Sequence, residues 1–221
     1  MHSDRPAPQE QIHDALNLDG ETASIQAHYA DWAATYDLDL QGDYVGPSLM
    51  LKVLSEALVQ AADVDIEMPL ADFVIADVGC GTGQVGALMV EAGATTLDGM
   101  DLSDNMIDVA RKLDIYRSLW SHFDLNRPMG AEWTGQYDVA VCCGVFTLGH
   151  VKPEALLELA NMVRPGGFFA TSTRTSYYDT THYQQVSDQL ESTGRARLVH
   201  CVRDAEYTND GDAHYWVYQL C

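Results

Sequence analysis

Apolar positions recur at helical spacing in the first part of this chain of 221 residues. The pattern predicts helices over about residues 22–36 and 47–61, the second with one apolar stripe and a proline at its start. Residues 1–20 are polar and contain proline, which is typical of a mobile terminal tail. We therefore expect a tail over residues 1–20, followed by a helical segment over residues 21–62.

From about residue 71 onward, short apolar runs alternate with helical segments. Helices are predicted after the turn at residue 83, after a capping Ser103, and near residues 153–164 and 182–193. The strand-like runs are DFVIADV, TTLDGMD, SLWSHFD, YDVAVCCGV, FFATSTR, ARLVHCV and HYWVYQL. This alternation predicts a mostly parallel sheet covered on both faces, and the last two strands, joined only by a loop, can pair antiparallel. Residues 71–221 are expected to form this α/β core, and 21–221 a single domain.

The first predicted strand ends in DVGCGTG, residues 77–83, directly before a predicted helix. Glycines at alternate positions permit positive φ and leave the backbone open to a ligand, and the N–H groups of a helix start attract negative charge. About 20 residues later Asp101 closes the second strand, where a carboxylate can accept hydrogen bonds from a ribose diol. Ligands of open α/β sheets bind at this edge, so the pattern predicts a site for an adenosine-type cofactor.

Two classes of cofactor match this turn. Gly81, Gly83 and Gly86 fit the dinucleotide fingerprint, which would make the protein an NAD(P)-dependent oxidoreductase. That fingerprint should start directly at the strand end, whereas Gly79 and Cys80 come first here and about 70 residues precede the strand. The order of residues favours a methyl-donor cofactor, and a cofactor-binding protein without catalytic activity stays open as a further alternative.

Four segments resemble the successive motifs of class I S-adenosylmethionine-dependent methyltransferases: ADVGCGTGQVG, LDGMDLSDNMIDVAR, YDVAVCCGVFTLGHV and VRPGGFFATSTRT. The resemblance covers roughly residues 24 to 200. HYADWAATYD and TSTRT also resemble the methyltransferase-like family named after the Williams–Beuren syndrome chromosome region. The resemblance implies a Rossmann-like seven-stranded sheet of order 3-2-1-4-5-7-6, with strand 7 antiparallel and a helical lid at the N-terminal side.

The same resemblance implies which residues bind S-adenosylmethionine and, after the reaction, S-adenosylhomocysteine. Asp77 would receive the ammonium group, Asp101 the ribose and Asp124 the adenine amino group, while Leu102 would pack against the adenine. The residues assigned to the cofactor in this way are Tyr29, Trp32, Asp77, Gly79, Cys80, Gly81, Thr82, Gly83, Asp101, Leu102, Met106, Asp124, Leu125, Cys142, Cys143 and Gly144. No metal site is expected.

Tyr29, Trp32 and Tyr36 lie on one face of the helix predicted over residues 22–36. Aromatic stripes of this kind usually pack in a core, whereas the resemblance implies a lid that shields the sulfonium from water. Methyl transfer needs a base only where the acceptor must lose a proton. His150, which follows the fourth strand, and Tyr36 are the candidate catalytic residues. Other candidates in the same loops are Arg174, Tyr177, Tyr178, His182 and Tyr215.

The charge balance argues against some classes of binding partner. The chain has 33 acidic and 12 basic residues and a net charge of −21, which disfavours nucleic acids and anionic membrane surfaces. No N-P-P-Y or D-P-P-Y segment follows the fourth strand, which argues against amino-group methylation of adenine or glutamine, and no Pro-Cys site is present, which argues against C5-cytosine methylation. A small-molecule acceptor is therefore expected, with a protein side chain as the second candidate. The N-terminus shows no signal-peptide pattern, no apolar run is long enough to span a membrane, and the five cysteines form no C-x-x-C pair. We therefore expect an acidic, reduced, cytoplasmic protein.

Overall fold

The computed structural model describes residues 7–62, 64–209 and 211–221. The strands are β1 Val74–Val78, β2 Thr96–Met100, β3 Ser118–Trp120, β4 Tyr137–Phe146, β5 Val163–Arg174, β6 Ala196–Thr208 and β7 Gly211–Leu220. The helices are α1 Pro8–Ala15, α2 Thr22–Trp32, α3 Tyr36–Asp39, α4 Gly46–Ala62, α5 Gln84–Glu91, α6 Asp104–Ala110, α7 Ala155–Met162, α8 Thr175–Thr180 and α9 Tyr183–Ser192. Two short 3₁₀ helices occupy Arg111–Leu113 and Ala131–Trp133.

The strands form one seven-stranded sheet in the order β3-β2-β1-β4-β5-β7-β6. Strands β1 to β5 pair in parallel, and β7 runs antiparallel to both β5 and β6. The predicted fold class is therefore confirmed, including the order and the antiparallel seventh strand. The parallel strands end along one edge, which brings the ends of β1, β2 and β4 together.

Helices cover both faces of the sheet, as the continuous apolar strands predicted. Ile75 of β1 packs on one face with the fully buried Leu54 of α4. Its neighbour Ala76 points to the opposite face, where it joins Leu156 of α7. The period of two along a strand thus divides the core into two layers.

Helix α4 belongs to one of these layers. The predicted lid covered residues 21–62, but the apolar stripe of α4 is buried against the sheet through Met50, Val53, Leu54, Ala57 and Leu58. A stripe this apolar is stabilised by burial in a core. The lid prediction therefore has to be corrected at its C-terminal boundary, since within residues 21–62 only α2 and α3 contribute residues to the cavity described below.

The predicted N-terminal tail also differs from the structure. Residues 1–6 of the expected tail lie outside the described residues. Residues 8–15 form α1, with a proline in its first turn. Its Ala15 is buried in a small cluster with Trp32 and Leu40. This helix has few apolar positions, so the polar composition of residues 1–20 predicted a tail and not a helix.

Three smaller differences concern element boundaries. The short helix α8 was not predicted, and the helix predicted over residues 22–36 is divided into α2 and α3. The RPGG segment was expected to be a turn before the fifth strand, but β5 already begins at Val163, which pairs with Tyr137 before the register shifts. Within the described residues, no helix has the length and apolar character needed to cross a membrane.

Candidate active site

A cavity lies at the ends of β1, β2 and β4 beneath α2 and α3, and its empty space, open solvent included, is about 750 Å³. Of the residues that the sequence assigned to the site, those lining it are Tyr29, Tyr36, Gly79, Gly81, Asp101, Leu102, Met106, Asp124, Leu125, Cys143, Gly144 and His150. Residues that the sequence analysis did not name also line it: Ile25, Val78, Phe123, Asn126, Val145 and Val151.

Two glycines open the turn toward this cavity. Gly79 has φ +71°, and a Cβ atom there would lie 2.2 Å from Cγ2 of Val145. Gly81 has φ +54°, and a Cβ atom there would meet nothing within 4 Å. Gly83, in contrast, faces Leu113 and Tyr116, which a Cβ atom would meet at 2.6 and 3.3 Å. The glycines that face the cavity are therefore the first two of the turn.

Asp101 is fixed by the backbone at the end of β2. Its carboxylate accepts hydrogen bonds from the N–H groups of Gly81 and Ser103, each at 2.8 Å. Burial raises the pKa of Asp101, and these hydrogen bonds act in the opposite direction. A carboxylate has about four lone-pair sites, so acceptor capacity remains for a ligand in the cavity that this side chain lines.

Asp124 joins the end of the β3 region to the lid. One oxygen accepts from the N–H of Asn126 at 2.9 Å. The other accepts from the hydroxyl of Thr22 at 2.9 Å and pairs with Arg127 at 3.2 Å. The predicted adenine-binding carboxylate therefore lies at the cavity and also holds the start of α2.

Helix α2 is tied to the core at two further points. The side-chain amide of Gln26 donates to the carbonyl of Leu102 at 3.0 Å, and that of Asn105 donates to the carbonyl of Ala30 at 2.9 Å. Helix α3 is tied to the glycine turn, since Asp37 accepts from Thr82 at 2.6 Å and from Gln84 at 2.7 Å. The lid is therefore docked over the cavity.

Replacing Asp37 by alanine should weaken this docking. We expect S-adenosylhomocysteine, the probe suggested by the sequence, to dissociate about threefold to tenfold faster, because two hydrogen bonds of modest strength at an exposed site are lost. Stopped-flow tryptophan fluorescence measures this rate, and Asp31→Ala, which removes an exposed acid from α2, is the matched control. An unchanged dissociation rate would show that the Asp37 contacts do not hold the lid.

Tyr29 and His150 form a pair on the cavity wall. The Tyr29 hydroxyl lies 2.7 Å from Nε2 of His150, and Nδ1 of His150 lies 3.0 Å from the carbonyl oxygen of Leu148. A carbonyl can only accept, so Nδ1 carries the proton and Nε2 accepts from Tyr29. Burial lowers the pKa of His150 and raises that of Tyr29, so both groups are neutral near pH 7.

Asp77 lies behind the glycine turn and is 1% exposed. Its carboxylate accepts a hydrogen bond from the hydroxyl of Tyr116 at 2.8 Å. Gly86 makes room for this hydroxyl, since a Cβ atom there would lie 2.1 Å from it. Burial raises the pKa of Asp77 to about 7, only partly offset by the Tyr116 hydrogen bond.

This raised pKa predicts a pH-dependent stability. The folded protein binds the Asp77 proton more tightly than the unfolded chain, so the carboxyl stabilises the fold below its ordinary pKa of 3.8 and this contribution is lost as the pH rises through about 7. The neutral Asp77→Asn variant should therefore gain stability relative to the wild type between pH 5 and pH 8. Urea unfolding at both pH values measures this, with the exposed Asp72→Asn as control. If the difference in free energy of unfolding between Asp77→Asn and the wild type is the same at pH 5 and pH 8, the raised pKa of Asp77 is contradicted.

The structure does not bring all predicted site residues to the cavity. Trp32 packs with Ala15 and Leu40, and its indole N–H donates to Asp39 at 2.9 Å, because its position on α2 turns it toward α1 and α3. Thr82 is held by Asp37. Those outside the cavity are Trp32, Asp77, Cys80, Thr82, Gly83 and Cys142. Among the described residues, no group of three or more His, Cys, Asp or Glu side chains could hold a metal ion.

Comparison with known proteins agrees with this geometry. A family model described as a methyltransferase domain matches residues 76–169. Methyltransferase-like protein 27 from Homo sapiens is 30% identical over 172 residues, which cover 76% of this chain and 66% of that protein. This relative fits the narrower resemblance to the Williams–Beuren region family. A ubiquinone biosynthesis O-methyltransferase from Thiobacillus denitrificans is 38% identical over 120 residues, 51% of this chain and 50% of that protein.

The chain thus spans between half and about two thirds of the length of these two curated relatives. Among solved structures, magnesium protoporphyrin IX methyltransferase from Synechocystis PCC 6803, with bound SAH, has a TM-score of 0.66 at 14% identity and covers 91% of this chain and 100% of its own. At that identity the likeness concerns the fold. The matched domain and the curated relatives show that this chain belongs to the S-adenosylmethionine-dependent methyltransferases, and its fold is that of their class I.

Proposed function

We propose that the protein transfers the methyl group of S-adenosylmethionine to a small-molecule acceptor. The observation that carries this proposal is the convergence of Gly79, Gly81 and the backbone-held Asp101 on one cavity beneath a docked lid. A binding site for an adenosine-type ligand needs a backbone free of side chains next to a fixed carboxylate. Both requirements are met at the same edge of the sheet.

The residues present fit S-adenosylmethionine. The open space next to Gly81 would take its amino-acid end, and the remaining acceptor capacity of Asp101 would bind its ribose diol. Leu102, Met106 and Leu125 supply apolar walls for the adenine. When bound, the cofactor supplies a methyl group already activated by the sulfonium charge.

The contact between the Tyr29 hydroxyl and His150 supports a role for this pair in proton transfer. A hydroxyl acceptor next to the Tyr29 oxygen could give its proton to that oxygen while Tyr29 gives its own to Nε2 of His150, 2.7 Å away. The Nδ1 hydrogen bond to the Leu148 carbonyl keeps His150 in the tautomer that can accept. Positioning of the acceptor provides the rest of the rate acceleration, since in-line geometry alone can supply about 7–11 kcal/mol.

The cavity argues against the dinucleotide alternative. The dinucleotide fingerprint would begin at Gly81 and use Gly83 and Gly86, but both of the latter face Tyr116 and neither lines the cavity. The glycines that do line it, Gly79 and Gly81, are those of the methyl-donor pattern.

The acceptor and compartment are also part of the proposal. The bacterial relative is named for O-methylation in ubiquinone biosynthesis, which supports a small hydroxyl compound here. The net charge of −21 supports the exclusion of nucleic acids as substrates. All five cysteines are free thiols, which supports a reducing, cytoplasmic location.

Titration calorimetry with S-adenosylmethionine, S-adenosylhomocysteine and NAD(H) tests the cofactor. We expect saturable binding of the first two and none of NAD(H). Tight NAD(H) binding without a response to the methyl donor would overturn the proposal. Formation of S-adenosylhomocysteine across a panel of metabolites then separates an enzyme from a binding protein.

A further inference from the structure

Tyr116 lies between the first 3₁₀ helix and β3, and its ring fills a slot between α5 and β2. A Cβ atom at Gly86 of α5 would lie 2.1 Å from the Tyr116 hydroxyl oxygen, and one at Gly99 of β2 would lie 2.9 Å from its Cε1 atom. In a close-packed interior, a side chain at either position would displace the ring. The two glycines therefore provide the room in which Tyr116 packs.

The Tyr116 hydroxyl ends at the buried carboxylate of Asp77, to which it donates a hydrogen bond at 2.8 Å. Burial and the charge of Asp77 raise the pKa of Tyr116, so its hydroxyl remains a proton donor at neutral pH. A hydrogen bond donated to a carboxylate favours the charged form, and this bond accordingly lowers the pKa of Asp77. Because neither residue lines the cavity, an effect of this pair on a ligand has to pass across the glycine turn.

Asp101 shows that charge acts across this turn. Burial is the main cause of the raised pKa of Asp77, and the charge of Asp101, which lines the cavity, raises it further. A cation bound next to Asp101 should have the opposite effect and favour the Asp77 carboxylate. By reciprocity, an Asp77 that is already charged favours binding of the cation. The ammonium group of S-adenosylmethionine and S-adenosylhomocysteine is such a cation.

Three cysteine thiols also lie near Asp77. Cys80 belongs to the glycine turn, and Cys142 and Cys143 belong to β4. Burial raises the pKa of each thiol, and the charge of Asp77 raises it further. These thiols therefore stay neutral over the pH range in which Asp77 loses its proton.

We infer that Tyr116 is a positioning residue for the cofactor: its hydroxyl holds the Asp77 carboxylate behind the glycine turn, where the negative charge favours the ammonium group of the ligand. This inference rests on the proposed function, because the ligand is the cofactor proposed there. Tyr116 acts through Asp77, and the contribution of the pair to binding is one of charge.

Tyr116→Phe keeps the ring and removes only the hydroxyl. Calorimetry at pH 7 should show that S-adenosylhomocysteine binds about threefold to tenfold more weakly than to the wild type, the range given by one hydrogen bond of ordinary net strength. 5′-Methylthioadenosine has the same adenosine and thioether but no ammonium group, so its affinity should stay within about twofold. Tyr137→Phe is the matched control, because the Tyr137 hydroxyl donates to the buried Asp98 at 3.2 Å and neither residue lines the cavity. It should leave both affinities unchanged.

The pH dependence of the affinity distinguishes a charge effect from packing. In the wild type, the affinity for S-adenosylhomocysteine should rise with pH around the Asp77 pKa of about 7. In Tyr116→Phe the hydrogen bond no longer lowers the pKa of Asp77, so the rise should move to higher pH. In Asp77→Asn the rise should be absent, and adding Tyr116→Phe to this variant should change the affinity by less than about twofold.

Unchanged S-adenosylhomocysteine affinity in Tyr116→Phe would overturn the inference. A loss that is equal at every pH, extends to 5′-methylthioadenosine and persists in the Asp77→Asn background would overturn it too, since Tyr116 would then act through packing. Urea unfolding identifies a general loss of stability, and a wild-type affinity that does not change between pH 6 and pH 8 would overturn the inference without any variant. These results leave the proposed function standing, whereas a wild type that does not bind S-adenosylhomocysteine would refute the proposed function and the inference together.

Discussion

Replacing His150 by glutamine should lower kcat for a hydroxyl acceptor by about 10²–10⁴-fold, the usual contribution of general acid–base catalysis. The loss follows from the proposed proton path, in which Tyr29 would transmit the proton to Nε2 of His150, 2.7 Å away. The affinity for S-adenosylhomocysteine should fall far less than kcat, since His150 is one of many residues lining the cavity, whereas the proposed proton path ends on it. Steady-state kinetics and calorimetry on the same preparations separate the two effects.

The pH dependence of kcat distinguishes a role of His150 in proton transfer from a purely structural role. Burial lowers the pKa of His150 below its ordinary 6.5, so the acid limb of the wild-type kcat profile should lie below pH 6.5 and should be absent in the variant. His182→Gln is the matched control, because this other candidate from the sequence lies at the surface, 2.7 Å from Glu154. A similar kcat in His150→Gln and the wild type would remove His150 from the proton path.

Replacing Asp101 by alanine should weaken S-adenosylmethionine by about 1–3 kcal/mol, roughly fivefold to 150-fold in Kd, through loss of a charged hydrogen-bond partner. Two effects act in the same direction. The ribose loses its acceptor, and the N–H groups of Gly81 and Ser103 lose the carboxylate that orients the turn. Calorimetry measures the change in Kd.

Two comparisons make the Asp101 result interpretable. Asp104→Ala removes an exposed acid three positions later and should leave the affinity unchanged. Asp101→Asn keeps one acceptor oxygen and should lie between the alanine variant and the wild type. Urea unfolding identifies any general loss of stability. An Asp101→Ala variant that binds the cofactor normally would take this residue out of the site.

Most of the fold could be predicted because it depends on local signals. Apolar runs marked the strands, and the glycine turn and Ser103 marked two helix starts. The sheet order came from the resemblance to a family and not from the pattern. Asp101 could be placed because strand ends of a parallel sheet share one edge.

The remaining features depend on contacts between distant parts of the chain. The sequence does not reveal that Asp37 bonds to Thr82 or that Asp124 bonds to Thr22, since these residues lie 45 and 102 positions apart. The surroundings of Trp32 also depend on distant contacts. Its ring stacks with that of Tyr29, as their helical spacing predicted. The sequence did not reveal that Trp32 also packs against Ala15 of α1, because the polar composition of α1 concealed that helix.

Some of the missed cavity residues had a signal in the sequence. Phe123 and Asn126 flank the predicted Asp124 and Leu125, and Val78 directly precedes Gly79. A loop at the end of a parallel strand contributes several consecutive residues to the edge, so neighbours of a predicted ligand residue are themselves candidates.

The central claim is that S-adenosylmethionine binds between the glycine turn and Asp101 beneath Tyr29. A crystal structure of the protein grown with saturating S-adenosylhomocysteine tests it most directly. We predict density for the ligand in the cavity, with its ribose hydroxyls on Asp101 and its amino-acid end beside Gly81. Ligand density elsewhere, or an empty cavity at saturation, would contradict the account.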